Sequence, residues 1–418
     1  MKILHIAYSL SEQSAAFRLA EEQSVNQGDQ IYFLLARKST SSFVESRRIF
    51  PFLTSFIGFT AHLIDYIAKK CFVRTDEVFS IGINLPAKNW IFEKLIHGVK
   101  PDIVHIHWGG YSFIPTNFLN KISKFKDIRL IVTTHDYNYF TGGCHIPMAC
   151  PEHSKNCRNC PMANNKIGKN WIRKNRSRNN KILSNTKITF VAPSFYTNNY
   201  LNNNFKGIRS KIISNTAGNF YLLVREALKS LYLDYLKYRA INNNIPTIIA
   251  VGTKITEQQN KGADIILELV KKMKQHKIPF NIITVGEFVQ LDIIGTHLHF
   301  ANRSIDQMKQ LYTIADICIV PSRYETFSQV TLESIQLGTP VVAFDLTGPK
   351  DIIKNGHSGF LVPSFNIDQF STTVIENMNY KFNNEEKVFE LALNTFDEFS
   401  PNNIAAKYKE LYLEKIID

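Results

Sequence analysis

The chain has 418 residues, 44% hydrophobic and 20% charged, which is the balance of a folded protein with room for two or three domains. Its formal charge of +13 favours anionic partners such as phosphates, acidic headgroups or nucleic acid. No run reaches the roughly 18 consecutive apolar residues needed to span a bilayer, and six cysteines are too few for a disulfide scaffold.

In chain order, MKILHIAYSL opens with a short apolar run broken by His5. It reads as a first strand and not as a signal peptide, so a cytoplasmic location is the default expectation. Further strands are expected at Ile31–Leu35, Asp102–His107, Arg129–Thr133, Ile188–Ala192 and Lys211–Ser214. The pattern repeats at Thr247–Val251, Asn281–Val285, Leu298–Phe300, Ile317–Val320, Val341–Phe344 and Phe360–Val362. Short apolar runs alternating with longer amphipathic ones predict parallel sheets covered on both faces. Two such sets predict an α/β protein of two Rossmann-like domains with a cleft between them. The domain plan is 1–220, 221–400 and a terminal helix over 401–418, divided at the turn-rich SNTAGNFY. That helix should bury Ile404, Tyr408, Leu411, Tyr412 and Ile416 on one face.

Several stretches carry chemistry. The loop after the first strand, Ser9 to Ala16, has no glycine, and Ser14 within it is an acceptor-side candidate. Residues 47–59 combine Arg47 and Arg48 with Phe50, Phe52, Phe56 and Phe59, and Lys69 and Lys70 follow. Such apolar bulk flanked by cations suits an anionic membrane surface, with an ordinary buried helix as the alternative. DIVHIHWGG places His105 and His107 at the end of a strand, where His107 is an acceptor-side candidate and His105 a packing residue. The strand Arg129–Thr133 runs into His135 and Asp136.

Cys144, Cys150, Cys157 and Cys160 fall within 17 residues and end in Cys-x2-Cys. Such clustering suggests a structural Zn2+ site, with reduced thiols as the alternative and His145 or His153 as substitute ligands. The basic segment KIGKNWIRKNRSRNNK follows. A basic helix facing anionic lipid is favoured there over a nucleic-acid module, and no nucleic-acid partner is expected.

In the second half, the strand ending at Gly252 leads to Thr253, Lys254 and a Lys261-Gly262 step. Farther on, PSRYETFSQVTLESIQLGTPVVAFD holds Glu325 and Glu333, separated by seven residues, in a strand–loop–helix–strand unit. Glu325 falls in the loop and Glu333 in the helix. The N–H groups of Thr326, Phe327 and Ser328 fall near that helix's start, where a phosphate is favoured. Carboxylates flanking an anion site suit a sugar nucleotide.

Residues 317–363 resemble the nucleotide-binding half of the retaining glycosyltransferases of family 4, whose signature is two glutamates seven residues apart. The resemblance implies the GT-B fold and transfer of a hexosyl group from a UDP- or GDP-sugar to a saccharide acceptor. It implies diphosphate clamping by Lys261 and a second cation, for which Lys254 is the candidate beside Gly252. It also implies ribose contacts by Glu333, donor-sugar contacts by Glu325 and His135, and a terminal helix crossing back to the first domain. No metal is required for catalysis on this reading. Thr347 replaces the first glycine of a family pair at Gly348. The stretch HDYNYFTGGCHIPMACPEHSKNCRNCP resembles a subgroup that builds capsule, colanic-acid-like and O-antigen polysaccharides. That implies a polyprenyl-linked acceptor, a peripheral position on the inner face of the plasma membrane and, for any metal, a purely structural role. A sugar-nucleotide epimerase of the same fold, a non-catalytic binding subunit and a zinc-dependent nucleic-acid module around 144–181 stand as alternatives.

Overall fold

The computed structural model describes the chain except residues 13, 75–78, 148–149, 154, 185–186, 218–224, 253–258 and 415–418. The chain divides into two compact units. One is Met1–Asn215 with the C-terminal stretch from Ile404, and the other is Thr216–Asn403.

The first unit holds a six-stranded sheet of β1 (Lys2–Ala7), β2 (Gln30–Leu35), β3 (Ile103–Ile106), β4 (Arg129–Thr133), β5 (Ile188–Ala192) and β6 (Arg209–Ile212), in the order β2-β1-β3-β4-β5-β6. The second holds β7 (Thr247–Gly252), β8 (Asn281–Gly286), β9 (His297–Phe300), β10 (Ile317–Val320), β11 (Val341–Phe344) and β12 (Gly359–Val362), in the order β12-β11-β10-β7-β8-β9. Neighbouring strands pair in parallel. Parallel strands need crossover connections, so helices cover both faces and the strands read as continuous apolar runs. Alternation along β1 shows this directly. Leu4 and Ile6 enter one core, and Ile3 and Ala7 enter another on the opposite face. In the second unit Cys318 and Val320 of β10 face one core, and Ile317 and Ile319 the other.

In each sheet the first strand is flanked by strands reached in opposite directions, β1 by β2 and β3, and β7 by β8 and β10. Open α/β sheets bind ligands outside the carboxyl ends of the strands at such a reversal.

Several strands differ from the sequence expectation by one residue at an end, and two strands differ by more. β6 begins at Arg209 instead of Lys211, because this edge strand is half-exposed and has no continuous apolar run to mark it. β3 stops at Ile106, which leaves His107 just beyond the strand.

The helix Pro401–Leu413 buries Ile404, Tyr408, Leu411 and Tyr412 in the first unit's core, while Ile416 lies outside the described residues. The Tyr412 hydroxyl accepts from Gln23 Nε2 at 3.2 Å and pairs with His105 Nδ1 at 2.7 Å. Beyond it Glu414 meets Lys211 at 2.9 Å and Arg209 at 3.5 Å. Tyr412→Phe removes the hydroxyl and strands two buried polar groups. The expected loss is about 1–3 kcal/mol, read as a lower urea midpoint with an unchanged denaturant slope.

Candidate functional site

Strand β10 is fully buried and ends at Pro321-Ser322, beside the end of β7 at the reversal of the second sheet. The loops leaving these two strands are held together by backbone. Gly262 has φ +75°, and a Cβ there would lie 2.3 Å from the Pro321 carbonyl oxygen. Only glycine fits both the left-handed conformation and the close approach. The Arg323 N–H donates to the Asn260 carbonyl at 2.8 Å, and Asn260 Nδ2 donates to the Tyr324 carbonyl at 2.9 Å. Arg323 forks onto Asp264 at 3.0 and 2.5 Å, and that hydrogen bonding holds the Asp264 carboxyl below the usual range.

This stitching places Lys261 Nζ 2.7 Å from Glu325 Oε1, with the two side chains 25% and 20% exposed. Both are therefore held yet open to a ligand. Gly252 closes β7, paired with Gly286 of β8. Thr253 and Lys254 lie outside the described residues.

The Glu325–Ser328 loop is wrapped by the segment after β11. The Gly348 N–H donates to the Glu325 carbonyl at 3.0 Å, and the Glu325 N–H donates to Thr347 Oγ1 at 3.3 Å. A Cβ at Gly348 would meet the Phe327 carbonyl oxygen at 2.2 Å, so Gly348 is required for contact and not for an unusual φ. Thr347, at the departure from the family glycine, thus supplies a hydroxyl to the loop. Thr326 is half-buried, and Phe327 is buried against Phe399. Ser328 caps the helix Gln329–Gln336 from a left-handed conformation, φ 88°. Its Oγ accepts from the Thr331 N–H at 3.4 Å. A non-glycine residue in that region stores about 1–3 kcal/mol and persists where its surroundings over-determine it. Glu333 lies on this helix, half-buried, and Oε2 accepts from the buried Tyr312 hydroxyl at 3.4 Å. Burial, with Glu333 beside it, holds the Tyr312 phenol neutral.

In the first unit the reversal lies between β1 and β3, and histidines gather there. Gln23, fully buried, sets their polarity. Its Nε2 donates to Tyr412, so its Oε1 is the acceptor for His5 Nε2–H at 3.1 Å. Burial lowers His5 to about 4, so the ring is neutral and its Nδ1 is an acceptor. His107 Nε2–H therefore donates to it at 2.9 Å. His107, also held neutral by burial, then accepts at Nδ1 from His135 Nε2–H at 3.3 Å. Burial lowers His135 to about 4, so that ring too is neutral. On the other side the Tyr412 hydroxyl pairs with His105 Nδ1, His105 Nε2 pairs with Thr133 Oγ1 at 2.7 Å, and Thr133 Oγ1 pairs with the Tyr408 hydroxyl at 2.9 Å.

His5, His105 and His107 bring ligand atoms within 4.8 Å of one another, and among the described residues they are the only such set of metal-ligating side chains. Every ring nitrogen of the three already has a partner, so the set does not fit a metal ion. The sulfurs of Cys144, Cys150, Cys157 and Cys160 form no such convergent set among the described residues. Cys157 and Cys160 lie buried in an apolar cluster with Cys144 packed against it, and burial raises both buried thiols. His145 and His153 are engaged elsewhere, His145 with Asp136 at 2.5 Å and His153 with Tyr200.

Ser14 caps the helix Ala15–Val25, its Oγ accepting from Phe17 N–H at 3.2 Å and donating to the Ser11 carbonyl at 2.7 Å. Sequence reasoning missed the Asp136–His145–Trp108 cluster, in which Trp108 Nε1 donates to Asp136 at 2.6 Å. Burial works to raise Asp136, and His145, the Asn138 N–H and Trp108 together hold it below the usual range. The His-Asp step was the available signal.

Two outcomes follow from this geometry. Gly262→Ala forces a strained φ and a backbone clash, so the second unit should lose at least about 1–3 kcal/mol, seen as a lower melting temperature. The buried histidines are neutral in folded and unfolded chains above about pH 6.5 and cost nothing there. From 6.5 down to about 4 the unfolded chain binds protons that the folded chain excludes, so stability falls as pH falls. Each ring contributes about 1.4 kcal/mol per pH unit in that window. Thermal scans across it should show this loss, made smaller by His5→Gln.

Residues 245–379 match the family model described as glycosyl transferases group 1. An uncharacterised glycosyltransferase of Methanocaldococcus jannaschii is 33% identical over 113 residues, covering 26% of this chain and 27% of that protein. The chain spans about a quarter of the length of the curated relatives it matches. The sucrose-phosphate synthase of Thermosynechococcus elongatus superposes with a TM-score of 0.63 at 15% identity, covering 99% of this chain and 98% of that one. Anabaena HepE, solved in complex with UDP, gives 0.58 at 16%, covering 98% and 99%. With its two parallel six-stranded sheets the chain thus has the two-domain Rossmann-like GT-B fold, and its residues 245–379 match the group 1 glycosyl transferases.

Proposed function

We propose that the chain is a retaining glycosyltransferase that moves a hexosyl group from a UDP- or GDP-sugar to a polyprenyl-linked saccharide in surface-polysaccharide synthesis. It would work at the inner face of the plasma membrane. The observation that carries the reading is the Lys261–Glu325 pair, anchored at the sheet reversal inside the segment that matches the family. The solved relative holding UDP supports a nucleoside diphosphate as the donor's anionic part.

The chemistry follows from charge. As the bond between the anomeric carbon and the diphosphate breaks, negative charge grows on the departing oxygen. Lys261 has three N–H donors, so it can keep Glu325 and still turn one towards that oxygen. Stabilising developing charge is commonly the largest catalytic contribution. The acceptor hydroxyl attacks the same face of the sugar, and its proton passes to the leaving phosphate. Glu325 holds a donor-sugar hydroxyl, Glu333 accepts from the ribose hydroxyls, and the N–H groups near Ser328 receive a phosphate.

The test is a thermal-shift screen against UDP, GDP, ADP, CMP and their sugar conjugates, followed by turnover with the stabilising donor. One nucleoside diphosphate should stabilise the protein selectively. Glu333→Ala should weaken it by about tenfold or more, the worth of a hydrogen bond to a charged group. Lys261→Ala should cost about 10²–10³ in kcat. Unchanged donor affinity in Glu333→Ala sinks the ribose assignment, and product formed without acceptor points to the epimerase.

A further inference from the structure

The helix Pro51–Phe72 is turned opposite to its composition. Its inner face is mostly small or polar: Thr54, Gly58, Ala61, Asp65 and Ala68 are buried, with Ile57 the one bulky apolar residue among them. Two contacts lock that face inward. A Cβ at Gly58 would meet Ala36 at 2.4 Å, so the helix lies directly on the backbone after β2. Asp65, 1% exposed, accepts from Ser80 Oγ at 3.1 Å, from the Ile81 N–H at 3.0 Å and from Ser112 Oγ. The bulky residues are therefore held outward. Phe52, Phe56 and Phe59 are 92%, 67% and 65% exposed, and Leu63, Tyr66 and Ile67 continue the stripe. These positions recur at helical spacing along one side.

Cations border the stripe. Asp65 is the helix's only acidic residue and it is buried, so the exposed face carries no negative charge. Exposed Arg37 and Lys38 follow Ala36. Exposed Lys70 stands at the far end, over the Tyr66 ring. The start of the helix Lys166–Leu183 is tied to that end. Asn164 Nδ2 donates to the Lys70 carbonyl at 3.3 Å, Asn165 Nδ2 donates to the Cys71 carbonyl at 3.1 Å, and Phe72 stacks on Trp171. Lys166, Ile167 and Lys169 are exposed there. Among the described residues no helix is long and apolar enough to cross a membrane.

We propose that the outward face of the Pro51–Phe72 helix, with its bordering cations, docks the first unit onto an anionic lipid bilayer. The aromatic stripe enters the headgroup–acyl boundary while the lysines and arginines meet the acidic headgroups. This deepens the membrane part of the function proposed above and rests on it only there, since vesicle binding is read without turnover.

The experiment is co-sedimentation of the full chain with phosphatidylcholine vesicles, with and without phosphatidylglycerol, over a salt series. The wild-type protein should pellet with the anionic vesicles and release as salt rises. F52S/F56S/F59S and K70E/K166E/K169E should each bind about tenfold or more weakly. All six side chains are exposed, so melting temperatures should hold, and transfer to a water-soluble acceptor should persist. The proposal is overturned if the wild type stays in the supernatant, if neutral vesicles bind equally well, or if the phenylalanine variant binds like the wild type. A dimer that the phenylalanine variant dissolves, without vesicle binding, assigns the face to a second copy and overturns it too.

Discussion

Backbone lies against backbone where Gly262 meets the Pro321 carbonyl, and the arrangement of the second unit's site depends on that contact. Without a side chain at 262, the loop after β7 can rest on the end of β10. Lys261 is then set beside Glu325, and Arg323 and Asn260 complete the seam. A cation and a carboxylate from separate loops are thus fixed at the sheet reversal, where carboxyl ends of parallel strands leave a crevice. The left-handed Ser328 and the Thr347–Gly348 wrap extend the same logic to the following helix. Site geometry that is over-determined in this way tolerates local strain and needs little reorganisation when a ligand arrives.

The first unit achieves order by polarity instead of charge. One buried amide, Gln23, faces two chains at once. Its nitrogen meets a run through Tyr412, His105, Thr133 and Tyr408, and its oxygen directs a run back through His5, His107 and His135. Buried polar networks are costly unless every member is satisfied. Here the cost is met by sequence-distant partners, including a helix from the end of the chain. The terminal helix is therefore part of the first unit's core and also part of its hydrogen-bond order.

Most strands were legible because burial on both faces leaves an apolar run, whereas the edge strands β6 and β9 are partly exposed and carry that signal weakly. The glutamate pair and Lys261 were legible through their spacing and the glycine beside the lysine. Three features were not. The histidine chain needs β1, β3 and β4 aligned in space, and nothing local marks Gln23 as its origin. Thr347 looked like a lost glycine, yet its hydroxyl takes the Glu325 N–H. The Pro51–Phe72 stripe has the spacing of a core-facing helix, and orientation was decided by Gly58 and Asp65 on the opposite side. Apolar periodicity gives the helix but not which face turns inward.

In the proposed function Lys261 and Glu325 divide the donor between them, the lysine taking diphosphate and the carboxylate taking sugar. Calorimetric titration of the preferred nucleoside diphosphate, without its sugar, into Lys261→Ala and Glu325→Gln tests this directly. Lys261→Ala should lose about tenfold or more in affinity, and Glu325→Gln should keep near wild-type affinity. Wild-type affinity in Lys261→Ala would contradict it and move the diphosphate away from the end of β7.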